Sequence, residues 1–215
     1  DSITPLMLSS YYEYSTIIEI LLQCNADTAT TDDTGDNALH YAARNDKTTT
    51  TIVQLLLNNM KLEDINHKRY NGDTPLDYCY EYNNSSIKQQ LIDLIRQKGG
   101  KRKSELEEEA LFKTLIVKYR NEFPKGTPLV CACEKGRVED VEGMIRGARA
   151  AGMDVTAMVS ELGTTSNGYS TTPLLAAAEN NHSNVAKYVV DIIHPDATTL
   201  EKKYYITIIT IARTK

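Results

Sequence analysis

The chain has 215 residues, 41% hydrophobic and 25% charged, with a formal net charge of -5. That composition is ordinary for a soluble globular protein and argues against nucleic acid as main partner, because phosphate binding needs a clustered basic surface. No apolar run approaches the roughly 18 residues of a membrane span. Its four cysteines, Cys24, Cys79, Cys131 and Cys133, lie in apolar segments without a framework spacing, so we expect reduced thiols in an intracellular, cytoplasmic protein. Opening at Asp1, without Met, the chain reads as a fragment.

In chain order, the first element is announced by Thr4-Pro5-Leu6. The triplet returns at Thr74-Pro75-Leu76, Thr127-Pro128-Leu129 and Thr172-Pro173-Leu174, and Asn37-Ala38-Leu39-His40-Tyr41-Ala42-Ala43 has the same shape. Successive starts are 33, 37, 53 and 45 residues apart. Thr or Asn is suited to accept a bond from an orphan helix N–H. Proline at the next place has the right φ and wastes no donor. Each start leads into small and apolar residues, such as Ala42-Ala43, Cys131-Ala132-Cys133 and Ala176-Ala177-Ala178. A turn then places Gly136 or Asn181 where a left-handed residue is needed, and a second apolar helix follows.

Between helix pairs lie turn-rich fingers, Asn25-Ala26-Asp27 through Asp33-Thr34-Gly35-Asp36-Asn37 and Ile65-Asn66-His67-Lys68-Arg69-Tyr70-Asn71-Gly72-Asp73-Thr74. A period of roughly 33 residues with T-P-L-H-x-A resembles the ankyrin-repeat family. The resemblance covers residues 1–195 with one interruption. It implies an all-α solenoid of about five helix–turn–helix repeats and a structural role for His40, bonding within and between repeats. His182 is read the same way; His67 and His194 have no motif context.

We expect repeats 1 to 3 over residues 1–98, a linker and extra helix over 99–123, repeats 4 and 5 over 124–195, and a tail over 196–215. Two residues are inserted in the turn Asp46 to Thr51, and the finger before repeat 3 is lengthened around Asn59 to Asp64. Lys101-Arg102-Lys103 is read as a solvated linker in preference to a nuclear-localisation patch. Ser104 and Glu107 form an expected capping box for a helix of about four turns, with Leu111, Leu115, Ile116 and Tyr119 at helical spacing. That helix either completes a degenerate repeat or caps a second solenoid; we expect one continuous solenoid, because two repeats bury too little core alone. Residues 153–170 replace a standard finger, with a short helix suggested by Met158, Val159 and Leu162. Tyr204 to Ile211 fits a strand or a helix of a truncated repeat. The acceptor triplets within Asn83-Asn84-Ser85-Ser86 carry no meaning in a reducing compartment.

No nucleotide-binding, hydrolase or metalloprotease motif occurs, and no cofactor, metal or catalytic residue is implied. Cys131 and Cys133, two apart on a helix, point in different directions and read as buried small residues. The resemblance implies a protein partner on the concave face of fingers and inner helices, at Asp33, Thr34, Asp36, Arg44, Tyr70, Asn71, Asp73, Glu81, Glu134 and Glu179, with Tyr11 as the matching place in repeat 1. Mixing carboxylates with tyrosines, this surface suits a partner with basic and apolar features. Asp36 is read as exposed, so its removal should shift stability by less than about 0.5 kcal/mol. The expected function is a scaffold or adaptor; the alternative is a recognition module of a larger enzyme, ubiquitin-ligase subunit or channel.

Overall fold

The computed structural model describes residues 2–81 and 86–196. Tyr204 to Ile211 and the Asn83–Ser85 triplets lie outside them. The chain divides into two compact units, residues 1–104 and 105–215.

In the first unit, each repeat is a short inner helix followed by an outer one. Repeat 1 is α1 (Pro5–Tyr11) and α2 (Ser15–Gln23); repeat 2 is α3 (Ala38–Arg44) and α4 (Thr50–Leu57). A one-turn helix, α5 (Leu62–Ile65), occupies the lengthened segment before repeat 3, which is α6 (Pro75–Glu81) and α7 (Ser86–Gln97). The inner helices stack on one another, α1 on α3 and α3 on α6, and the outer helices do likewise. Five residues separate α3 from α4, against three between α1 and α2, so the two-residue insertion in repeat 2 is real.

The recurring helix starts work through three different bonds. Thr4 Oγ1 accepts from Met7 N at 3.2 Å, and Asn37 Oδ1 accepts from Leu39 N and His40 N. Thr74 is reversed: its N–H donates to Asp77 Oδ2 at 3.0 Å, and its hydroxyl donates to Lys101 O at 2.8 Å. Asn37 Nδ2 makes the corresponding bond to Asp64 O at 2.8 Å. Both bonds span 27 residues, so Gly99–Arg102 stands in the register of a third finger. The expected linker is thus tied down: Lys101 N donates to Asn66 Oδ1, Arg102 Nε to Asp77 Oδ1, and Lys103 N to Asp77 Oδ2.

That last bond corrects the expected capping box. The helix α8 (Lys103–Glu122) already includes Ser104, and its first N–H, that of Lys103, is taken by Asp77. At 20 residues it is longer than the four turns read from the pattern.

The second unit contains most of α8, then α9 (Pro128–Glu134) and α10 (Val138–Ala150) as repeat 4, α11 (Val155–Ser160), and α12 (Pro173–Glu179) and α13 (Ser183–Ile193) as repeat 5. Leu115 and Tyr119 of α8 are buried in its core, whereas Leu111 is 42% exposed. Gly143 and Gly147, one turn apart on α10, let α8 approach closely. A Cβ on Gly147 would stand 2.3 Å from Phe112 Cβ and 2.4 Å from Glu108 O. β1 (Gly163–Thr164) and β2 (Ser170–Thr171) pair antiparallel. Thr127 serves this hairpin and not its own helix, its Oγ1 accepting from Thr164 N at 2.9 Å.

The left-handed turn between inner and outer helices recurs at Glu13 (φ 64°), Gly136 (φ 68°) and Asn181 (φ 61°). Gly136 is required twice over, since a Cβ there would also meet the His182 ring at 2.4 Å. The inner-helix leucines Leu6, Leu39, Leu76 and Leu129 are buried at equivalent places; Leu174 departs from them and is only partly buried against the second core.

Candidate functional site

The fingers share one tip geometry. Asp32 N donates to Asp36 O at 3.0 Å and Gly35 N to Asp32 O at 3.0 Å. Arg69 N to Asp73 O and Gly72 N to Arg69 O repeat this in the second finger, and Thr165 N to Tyr169 O and Gly168 N to Thr165 O in the second unit. The segment 153–170 therefore does not replace a standard finger. It keeps a standard tip and adds α11 ahead of it. Tyr70 N donates to Thr34 O at 3.1 Å, so the first two tips are joined backbone to backbone.

This geometry sorts the expected binding residues. Asp33 and Thr34 are exposed at the first tip; Tyr70, 82% exposed, and Asn71 are exposed at the second. Glu81 and Glu179 are exposed at the ends of α6 and α12. Asp73 is half-buried, with Oδ2 accepting from Asn71 Nδ2 at 2.6 Å.

Asp36 is not a surface residue. It is 1% exposed and faces Arg69 Nε at 3.4 Å, Arg44 Nη1 at 3.8 Å and the Tyr78 hydroxyl at 3.4 Å. Burial raises its carboxyl above the ordinary value despite the attraction of Arg69 and Arg44. Sequence position alone places Asp36 on the finger; Arg69 from the next finger, with Arg44 and Tyr78, covers it. Asp36→Ala should therefore cost about 1–3 kcal/mol, because the Tyr78 hydroxyl loses a buried acceptor and Arg69 its ion-pair partner. Asp36→Asn should cost less, and urea denaturation of the two variants measures the difference.

Glu134 is likewise committed. Its oxygens accept from Ser166 N and Ser166 Oγ, both at 2.7 Å, and from Lys135 Nζ at 3.0 Å. Burial works against ionisation there, but these bonds outweigh it and hold the carboxyl below its ordinary value. The tip of the second unit's own finger thus occupies the inner-helix position expected to meet a partner.

Three arginines stack on tyrosines along the inner face of the first unit, a feature sequence reading missed. Arg44 lies 4.9 Å from the Tyr41 ring and 5.8 Å from that of Tyr11; Arg69 lies 5.6 Å from Tyr78; Arg102 lies 4.6 Å from Tyr80. The available signal was Tyr41 and Tyr78 at the same place of successive inner helices. Tyr11 also packs edge-on against Tyr12 and Tyr41.

His40 is buried beneath this face. Its Nδ1 accepts from Asn37 N at 3.2 Å, which leaves Nε2–H to donate to Asp73 O at 3.4 Å, one repeat away. His182 bonds across repeats as well, from Nε2 to Glu134 O at 3.0 Å. Cys131 and Cys133 are buried, and burial pushes their thiols up to about 11 and 12. Among the described residues, no group of three or more His, Cys, Asp or Glu is placed to hold a metal ion, and no helix is long and apolar enough to cross a membrane.

Stacked helix–turn–helix repeats joined by hairpin-like fingers define an all-α repeat protein. Residues 4–101 match the model of the ankyrin-repeat family, in three copies. Repeats 4 and 5 keep the same helix pair and left-handed turn. No curated protein matches the chain. Ankyrin repeats are in general protein-interaction modules and typically non-catalytic.

Proposed function

We propose that this chain is a scaffold or adaptor module that binds a protein partner through the finger tips and inner helices of repeats 2 and 3. The observation that carries this reading is Tyr70. It stands 82% exposed at the apex of a finger whose backbone is fixed by bonds within the finger and to the neighbouring tip. A large side chain held on a rigid mount binds with little ordering cost, and tyrosine has only two torsions to freeze. Catalysis has no part in this reading.

The rival surface is the second unit's finger, where Leu162 and Tyr169 are 76% and 74% exposed. Its Ser166 apex is already bonded to Glu134, which favours the first unit. Affinity capture followed by titration tests the choice. Tyr70→Ala should weaken the captured partner by about 2 kcal/mol or more, the scale of a hot spot, with an unchanged melting temperature. Loss on Leu162→Ala or Tyr169→Ala, with Tyr70→Ala silent, would place the site in the second unit. Arg44 is unsuited to charge reversal in this test, because a carboxylate there would face buried Asp36.

A further inference from the structure

We propose that the free face of repeat 1 is a stacking interface, covered by one more ankyrin-type helix pair that precedes it in the polypeptide; this holds whichever finger tip meets a partner. Equivalent places in successive repeats differ there. Leu8, Tyr41 and Tyr78 each lie four residues after a helix-start residue, Thr4, Asn37 or Thr74. Tyr41 and Tyr78 are buried and reach back to the finger ahead of them, their hydroxyls donating to Asp32 Oδ2 at 2.8 Å and Asp36 Oδ2 at 3.4 Å. Leu8 is 44% exposed. Ile17 and Ile52 are each the third residue of their outer helix; Ile52 is buried and Ile17 is 46% exposed. Ile20 is 53% exposed, whereas Leu55, at the same place of α4, packs against the core. Repeat 1 is followed by a stacked neighbour, as repeat 2 is; it differs in having none ahead of it.

A repeat that ends a solenoid carries a polar outer face. Repeat 1 instead keeps apolar side chains at the places a preceding helix pair covers in repeat 2. The face therefore continues the packing of α1 on α3 and α2 on α4 by one more period. Ile3 adds to it, exposed directly before Thr4 where repeat 2 has buried Asp36 before Asn37. Charge argues against a second copy as the occupant. Residues 1–43 contain no Lys or Arg, and Glu19 is exposed beside Ile20, so two copies face to face would oppose like charges. The neighbour that fits is apolar beneath, with Lys or Arg at its margin. Joined through its own finger, it also avoids most of the entropy cost of association.

The test compares the whole chain with one extended by a copy of residues 37–72 joined directly to Ile3. Gly72 of the copy then stands where Gly35 stands ahead of repeat 2, and the copy brings the cations Arg44, Lys47, Lys61, Lys68 and Arg69. Ile52→Gln in the copy alone gives the new end a polar face. Native-state hydrogen exchange reads the amides of α1 and α2, which should exchange about tenfold or more slowly in the extended chain. Ile17→Ala should restore fast exchange in the extended chain and change little in the original, where that side chain is half in water. An added repeat that leaves α1 and α2 exchanging as before overturns the inference, and so does one that stays unfolded by far-ultraviolet dichroism, because the same sequence folds when stacked on repeat 3. Equal effects of Ile17→Ala in both chains overturn it as well. In sedimentation equilibrium the original chain should be a monomer; a dimer dissociated by Ile17→Lys would give the face to a second copy instead.

Discussion

Leu39→Ala is expected to lower the unfolding free energy by about 2–5 kcal/mol, the range for emptying a fully buried leucine site. Leu39 is 0% exposed on α3, the inner helix that packs against both α1 and α6. The void would therefore open in the middle of a stack whose stability depends on contacts between neighbours. Guanidinium denaturation followed by circular dichroism measures the loss. An effect below about 1 kcal/mol would mean that the cavity collapses or that the stack is not continuous at repeat 2.

Acidification should produce the other large effect, through His40. Burial depresses its pKa to about 3 from the usual 6.5, the bond to Asp73 O only partly opposing this. The unfolded chain then binds a proton that the folded chain refuses as pH falls below the unfolded value. Stability is therefore full above about 6.5 and declines towards the folded value, by up to roughly 1.4 kcal/mol per pH unit for this one group. Asp36 works in the opposite direction, since its raised carboxyl makes the folded state hold its proton more tightly near and above the ordinary 3.8. His40→Gln removes the histidine contribution, so the difference in slope between the two proteins from pH 6 to 4.5 isolates it. Parallel slopes would show that His40 titrates normally and is not sealed between repeats.

The repeat frame was legible because its signals are local. Thr or Asn before Pro or Ala fixes a helix start, and small residues at the next turn fix an inner helix, wherever the rest of the chain lies. Asp36 escaped that logic. Its burial is set by Arg69, one repeat further along, and by Tyr78 beyond it, and no local pattern announces a partner at that distance. Glu134 was misplaced for the same reason: its register is that of an exposed inner-helix end, but Ser166 folds back onto it. The helix α8 starts before the expected cap, at Lys103, whose N–H is taken by Asp77 on α6. In each case the elements were readable, and the long-range polar bonds that decide which side chains remain available for binding were not.

Hydrogen–deuterium exchange on the chain with and without its captured partner tests the central claim most directly, because it reports where the partner sits without altering a residue. The account predicts added protection at the amides of Asp33 and Thr34, across Lys68 to Asp73, and in α6, with little change at residues 156–171. Protection confined to 156–171, with the first two finger tips exchanging as in the free chain, would contradict it.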